Sequence, residues 1–118
     1  MVDKAKANQA KLGDKVLKSV SDITPDLDFY PDIPKVKLDD ILDTELHLLD
    51  AVIIEDFEGQ FGPHPFAIML LENPADGAQS TTGTSAIVIV KKLRKIIEKR
   101  AMPLRATFTK PGTYFNMV

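Results

Sequence analysis

Gln79 to Arg100 reads QSTTGTSAIVIVKKLRKIIEKR, and its two halves ask for different backbones. Gln79 to Gly83 is short, polar and Thr-rich, which suits a strand. From Ala86 onward apolar residues recur at helical spacing: Ala86, Val90, Leu93 and Ile97, with Ile89 and Ile96 beside them. Lys91, Lys92, Arg94, Lys95, Lys99 and Arg100 cover the remaining surface. The pattern predicts an amphipathic helix near residues 85–100. Thr84 or Ser85 is placed to cap its start, and Met102-Pro103 ends it. The run Ala86-Ile-Val-Ile-Val90 alone also suits a strand, so the first turn is open between the two.

Strands are expected on both sides. Upstream, Glu45 to Glu58 (ELHLLDAVIIEDFE) reads as one long strand. Its apolar positions change face near Leu48 and Leu49, which calls for a bulge or bend. Glu58 to His64 is a turn-rich loop, Pro65 to Glu72 (PFAIMLLE) a second strand, and Asn73 to Ala78 another turn. Downstream, Leu104 to Thr109 (LRATFT) alternates with period two. Lys110 to Thr113 is a tight turn, and Tyr114 to Val118 a fifth strand. The order β-β-β-α-β-β is that of the OB-fold, a five-stranded, partly open Greek-key barrel. The expected class is therefore all-β with one helix, a five-stranded OB-fold barrel carrying an N-terminal extension. A long, bent first strand suits that barrel because it serves both sheets.

Ahead of the barrel, residues 1–20 are rich in Lys and Ala, and Leu12, Val16, Leu17 and Val20 form a weak apolar stripe. They read as a short helix. Residues 21–37 hold Pro25, Pro31 and Pro34, so they should be extended or irregular. Phe29, Tyr30 and Ile33 are placed to pin this stretch to the body, and Leu38 to Leu42 to make one helical turn. The chain thus divides into a leader, 1–37, and an OB-fold domain, 38–118.

At 118 residues, 44% hydrophobic, the chain has room for one domain with one core. It has no cysteine, which excludes disulfides, thiolate metal sites and cysteine nucleophiles. The longest apolar run, Phe66 to Leu71, is far too short for a bilayer, and the N-terminus has no apolar h-region of a signal peptide. A soluble, cytoplasmic protein is expected. The net charge of −2 conceals an asymmetry. Residues 1–20 carry five Lys against Asp3 and Asp14; residues 21–59 carry Lys35 and Lys37 against twelve acids; residues 60–118 carry eight Lys/Arg against Glu72, Asp76 and Glu98. Such polarity suits contact of the basic half with a polyanion, or simply solvated faces.

The body resembles the divergent OB-fold single-stranded DNA-binding proteins of phages and prokaryotes. The resemblance covers roughly residues 38–118. It rests on the LDDIL turn, a strand ending IIEDFE, the FGPHPFAIM hairpin, STTGTS leading into VKKLRKI, and the closing PLRATFTKPGTYFNMV. Order and spacing carry it; no single motif is diagnostic. The chain departs from the usual bacterial protein in having no Trp and no acidic, Gly/Pro-rich C-terminal tail of the kind that recruits partners. The resemblance implies single-stranded DNA, or RNA, as the ligand, a role in replication, recombination or repair, and a homo-oligomer or repair proteins as partners.

Single-strand binding needs cations along a groove and flat rings for bases to stack on. Phe61 sits in a Gly-rich loop and reads as a stacking platform, with a loop anchor as the alternative. Phe57 and Phe66 flank that loop, and one of them should enter the core. Tyr114 and Phe115 are neighbours on a strand, so one faces out, and the hydroxyl favours Tyr114. Phe108 alternates with Leu104 and Ala106 and reads as core. Arg105 and Lys110 are candidate phosphate partners, with plain solubility charges as the alternative. Thr81, Thr82 and Thr84 offer hydroxyls to phosphate or base edges, Thr81 foremost, or form an ordinary Thr-rich strand. The helix cations either contact the strand directly or act by long-range attraction, the second being favoured because an OB helix lies away from the usual binding face. His64, locked between Pro63 and Pro65, reads as a loop residue able to stack on a base.

Catalysis finds no support. Glu55 and Asp56 are neighbours on a strand and point to opposite faces, so they cannot pair as acid and base. Asp39, Asp40 and His47 match no metal template, and no phosphate loop or nucleophile elbow is present. A non-catalytic protein without metal or cofactor is expected. The competing reading is an OB-fold interaction or structural module that binds no nucleic acid, since fold does not fix function.

Overall fold

The computed structural model describes residues 11–12, 15–16, 28–60 and 62–118. The body is a five-stranded antiparallel sheet with one helix between its third and fourth strands. The strands are β1 (Glu45–Gly59), β2 (Gly62–Glu72), β3 (Gln79–Thr84), β4 (Leu104–Thr109) and β5 (Asn116–Met117); the helix α1 is Ile87–Glu98. Across the sheet they run β3-β2-β1-β4-β5. A 3-10 turn, Leu38–Ile41, leads into β1. The fifth strand is shorter than expected, with Tyr114 and Phe115 still in the connection. Of the helix expected over 1–20, Lys11–Leu12 and Lys15–Val16 are extended and pair antiparallel; its other residues lie outside the described ones.

β1 carries two register shifts against β2, one between Leu48 and Asp50 and one between Ile54 and Phe57. Each inserts one extra residue in β1, and side chains on either side of an insertion change face. The first shift lies where the apolar pattern required it. Before it, Leu46 and Leu48 face the core; after it, Ala51 and Ile53 do. Opposite them on β2, Ala67, Met69 and Leu71 are buried in the same core, which α1 closes with Ile89, Val90 and Leu93. Phe108 on β4 is fully buried there, as its alternation required.

The other face of β2 is covered too. Leu70 stands between Asp50 on β1 and Thr81 on β3, pointing away from α1. Tyr30 donates its hydroxyl to Asp50 Oδ2 at 2.7 Å. At the far side the Thr81 amide donates to Pro34 O at 2.9 Å, and the Val36 amide to Thr81 O at 2.8 Å. Residues 30–36 therefore cross β2 as a strap from β1 to the edge of β3, and Leu70 beneath is buried. The strap begins with a turn, in which the Ile33 amide donates to Tyr30 O at 3.1 Å across Pro31, and is extended only from Pro34 to Val36, so the stretch is irregular first and extended after.

Both outer edges of the sheet are occupied. The strap pairs with the centre of β3 in parallel, at Lys35 and Thr81. At β5, Val118 exchanges both backbone bonds with Thr107, so the polar backbone groups of Met117 face outward. The Met117 amide donates to Asn116 Oδ1 at 2.8 Å, and Lys92 Nζ donates to Met117 O at 2.8 Å. In the closed barrel these two edges would meet; here each has a partner of its own.

The start of α1 differs from expectation. Thr84 remains in β3, where its buried hydroxyl accepts the Ala86 amide at 3.1 Å and ties strand to helix. The cap position falls on Ala86, which has no oxygen to offer. At the other end the Arg100 amide donates to Ile97 O and the Ala101 amide to Ile96 O, both at 3.1 Å. This is a Schellman stop with Arg100 in the left-handed region at a φ of +51°, a place glycine usually fills.

Candidate nucleic-acid interface

The second insertion in β1 decides the site. Ile54 and Phe57 are three apart and would face opposite ways on a regular strand. The extra residue between them turns Phe57 to the face away from α1, beside Phe66 on β2. The two rings stack with centroids 4.4 Å apart and planes 20° from parallel. His64, directly opposite Phe57, meets it edge-on at 5.8 Å and 71°. The expectation that one of Phe57 and Phe66 enters the core is thus corrected: both are half-buried on the outer face, and neither joins the core cluster. The cause is the inserted residue, which reverses the parity assumed from a regular strand.

Two glycines give the row its floor. A Cβ at Gly83 would lie 2.5 Å from Phe66 Cζ, and one at Gly59 would lie 2.0 Å from His64 Cε1. The rings use the space that side chains there would fill. Beside them is a depression of about 230 Å³ lined by Lys35, Val36, Phe57, Phe66, Thr81 and Gly83. Thr81 is 1% exposed, and its hydroxyl has no hydrogen-bond partner among the described residues. A buried hydroxyl without a partner costs about 1–3 kcal/mol, and the Thr82 hydroxyl is in the same state. Lys35 is exposed at the rim. Both oxygens of Asp50 are engaged, Oδ2 by the Tyr30 hydroxyl and Oδ1 by the Ala51 amide at 2.8 Å. The bond to Asp50 raises the Tyr30 pKa above its ordinary value.

The residues expected to bind do not form one cluster. His64 and Thr81 flank the Phe57–Phe66 pair. Arg105 is exposed on the same face, opposite His47 at the other end of β1. Lys110 is engaged internally: it lies 3.8 Å from Asp39, and its Nζ sits 4.7 Å from the Phe115 ring centre. Tyr114 is exposed, as expected, but beside the first turn of α1 and not in the aromatic row. Phe61 lies outside the described residues. Phe57, Phe66, Lys35 and Gly83 went unassigned in the sequence. The insertion that places the two rings shows only in the pairing of Ile54 with Phe66 and Phe57 with His64, not in the local pattern of β1.

Two of the helix cations, Arg94 and Lys92, serve other contacts. Arg94 holds Glu55 through two parallel bonds, the longer 2.7 Å, and this lowers the Glu55 pKa below its ordinary range. Lys92 is spent on β5. Among the described residues no three His, Asp or Glu gather as a metal site, and no helix is long and apolar enough to cross a membrane. Comparison with protein-family models, curated proteins and solved structures finds no significant match to this chain.

Proposed function

We propose that this chain is a non-catalytic OB-fold single-stranded DNA-binding protein of the cytoplasm, acting in replication, recombination or repair, with single-stranded RNA as the variant ligand. The strand order β3-β2-β1-β4-β5 and the helix after β3 support the OB reading, with capped edges standing in for the closing strand pair. One observation carries the function: a stacked Phe57–Phe66 pair, extended by His64, half-exposed on the sheet face away from α1 and next to Lys35. Every base has a π-face, so such a row accepts bases regardless of sequence. Lys35 and, farther along, Arg105 supply phosphate contacts on that face, while Thr81 offers a hydroxyl to a base edge. Self-association or docking to repair proteins completes the role.

Titration with oligo-dT and with duplex of equal length, at two salt concentrations, tests this. Preference for the single strand, weakening with salt by about 0.7 in the log–log slope per phosphate contacted, is expected. No shift of oligo-dT at low salt and micromolar protein overturns it.

A further inference from the structure

The most exposed large apolar residue among the described ones is Ile87, at 70%, in the first turn of α1. Helices bury their apolar stripe, and α1 does so with Ile89, Val90 and Leu93; Ile87 is apolar on the outside. It stands between two open hollows. One, about 550 Å³, is lined by His64, Pro65, Ile87, Val90, Lys91 and Arg94. The other, about 660 Å³, is lined by Ile87, Val88, Tyr114 and Phe115. Tyr114 is itself 51% exposed. The patch therefore runs from His64 and Pro65 at the start of β2 across Ile87 to the β4–β5 connection, and it meets the aromatic row at His64.

Its surroundings are strongly basic. Lys91, Lys92, Arg94, Lys95, Lys99 and Arg100 lie on or just past α1, against the single acid Glu98. Lys91 and Lys95 are exposed and have no ion-pair partner among the described residues, whereas Arg94 is held by Glu55. An apolar ridge between two hollows, set in unpaired positive charge, selects an acidic chain with apolar anchors.

We infer that the Ile87 patch is a docking site for an acidic peptide segment of a partner protein. Two large apolar side chains of that segment straddle Ile87, one in each hollow, and its carboxylates face Lys91 and Lys95. Ile87, Lys91 and Lys95 lie outside the aromatic row, and His64 borders both surfaces. The inference does not depend on the DNA reading.

The test uses dye-labelled octapeptides in fluorescence anisotropy with the full chain: DDLDDFLD, and its charge-reversed counterpart KKLKKFLK. The acidic peptide should bind in the micromolar range and the basic one should not. Ile87→Asp should weaken binding tenfold or more, and Lys91→Glu several-fold with a loss of salt dependence. Ile87 is outside the core, so its variant should keep the wild-type circular dichroism and oligo-dT affinity; Tyr114→Ala provides a second probe of the far hollow. Equal binding to wild type and Ile87→Asp, absence of binding to wild type up to millimolar peptide, or equal binding of both peptides overturns the assignment. So does sedimentation showing wild-type dimers that Ile87→Asp converts to monomers, which would make a second copy of the chain the occupant.

Discussion

The Phe66 ring occupies the space in which a side chain at Gly83 would begin, its Cζ 2.5 Å from that Cβ position. Gly83→Ala must therefore swing the ring off Phe57. Because Phe66 is only half-buried, the stability cost should be modest, about 1 kcal/mol. Loss of the stacked pair should reduce oligo-dT affinity by more than that. Chemical denaturation and a dT titration on one sample separate the two effects; unchanged affinity would remove Phe66 from the site.

Direct truncations make a sharper set. Phe57→Ala and Phe66→Ala should each weaken single-strand binding by about 1–3 kcal/mol. Lys35→Ala should lower the salt slope by about 0.7 as one phosphate partner is lost. Lys110→Ala should change binding little, since its charge already faces Asp39 and Phe115. Phe108→Ala is the folding control, at a cost of about 3–5 kcal/mol in urea.

The strap predicts where the chain tolerates shortening. Removing residues 1–27 should leave the melting temperature nearly unchanged. Removal through residue 37 strips the Tyr30–Asp50 bond and two backbone bonds, and uncovers Leu70. One buried Leu is worth about 1.5–3 kcal/mol and each bond about 0.5–1.5. A loss of about 3 kcal/mol or more is expected, and equal melting of the two truncations would refute the strap's role.

Arg100 holds a left-handed backbone that costs a side-chain-bearing residue about 1–2 kcal/mol. Glycine avoids that cost but loses more chain entropy on folding, about 0.5–1 kcal/mol. Arg100→Gly should therefore stabilise the protein by up to about 1 kcal/mol, read as a higher denaturation midpoint.

Glu55 gives a pH signature. Its folded pKa lies below the ordinary 4.5, with the bond to Arg94 as the main cause. The ionised form is the one folding favours, so the contribution is complete above the unfolded value and fades as pH falls through the folded one. Glu55→Gln should melt below wild type at neutral pH, and the gap should close in acid beneath 4.5. A gap that is constant with pH would show that packing, not charge, links α1 to β1.

Strand order, helix and core were readable because they rest on local periodicity. Leu46 and Leu48, then Ala51 and Ile53, announce the first insertion through the parity of their apolar positions. The second insertion was hidden, because Glu55 and Asp56 are both polar and leave no apolar residue to betray the change. That one residue is what puts both Phe57 and Phe66 on the outer face, where a regular strand would send one of them to the core. Lys35 was missed for another reason. Its place at the rim depends on pairing between Pro34–Val36 and Thr81, a contact across more than forty residues that no local pattern encodes.

The occupied edges have a consequence for how the protein behaves when crowded. A sheet with free backbone at both ends can recruit the same strand from a neighbour and grow without limit. Here the outward amide and carbonyl of Met117 are taken by Asn116 and Lys92, and the centre of β3 by the strap. The two outermost strands are thereby capped at Thr81 and Met117, as a polymer chain is terminated by a capping group. Copies at high concentration would then be kept from fusing through β5, and Asn116 and Lys92 would be what blocks that edge.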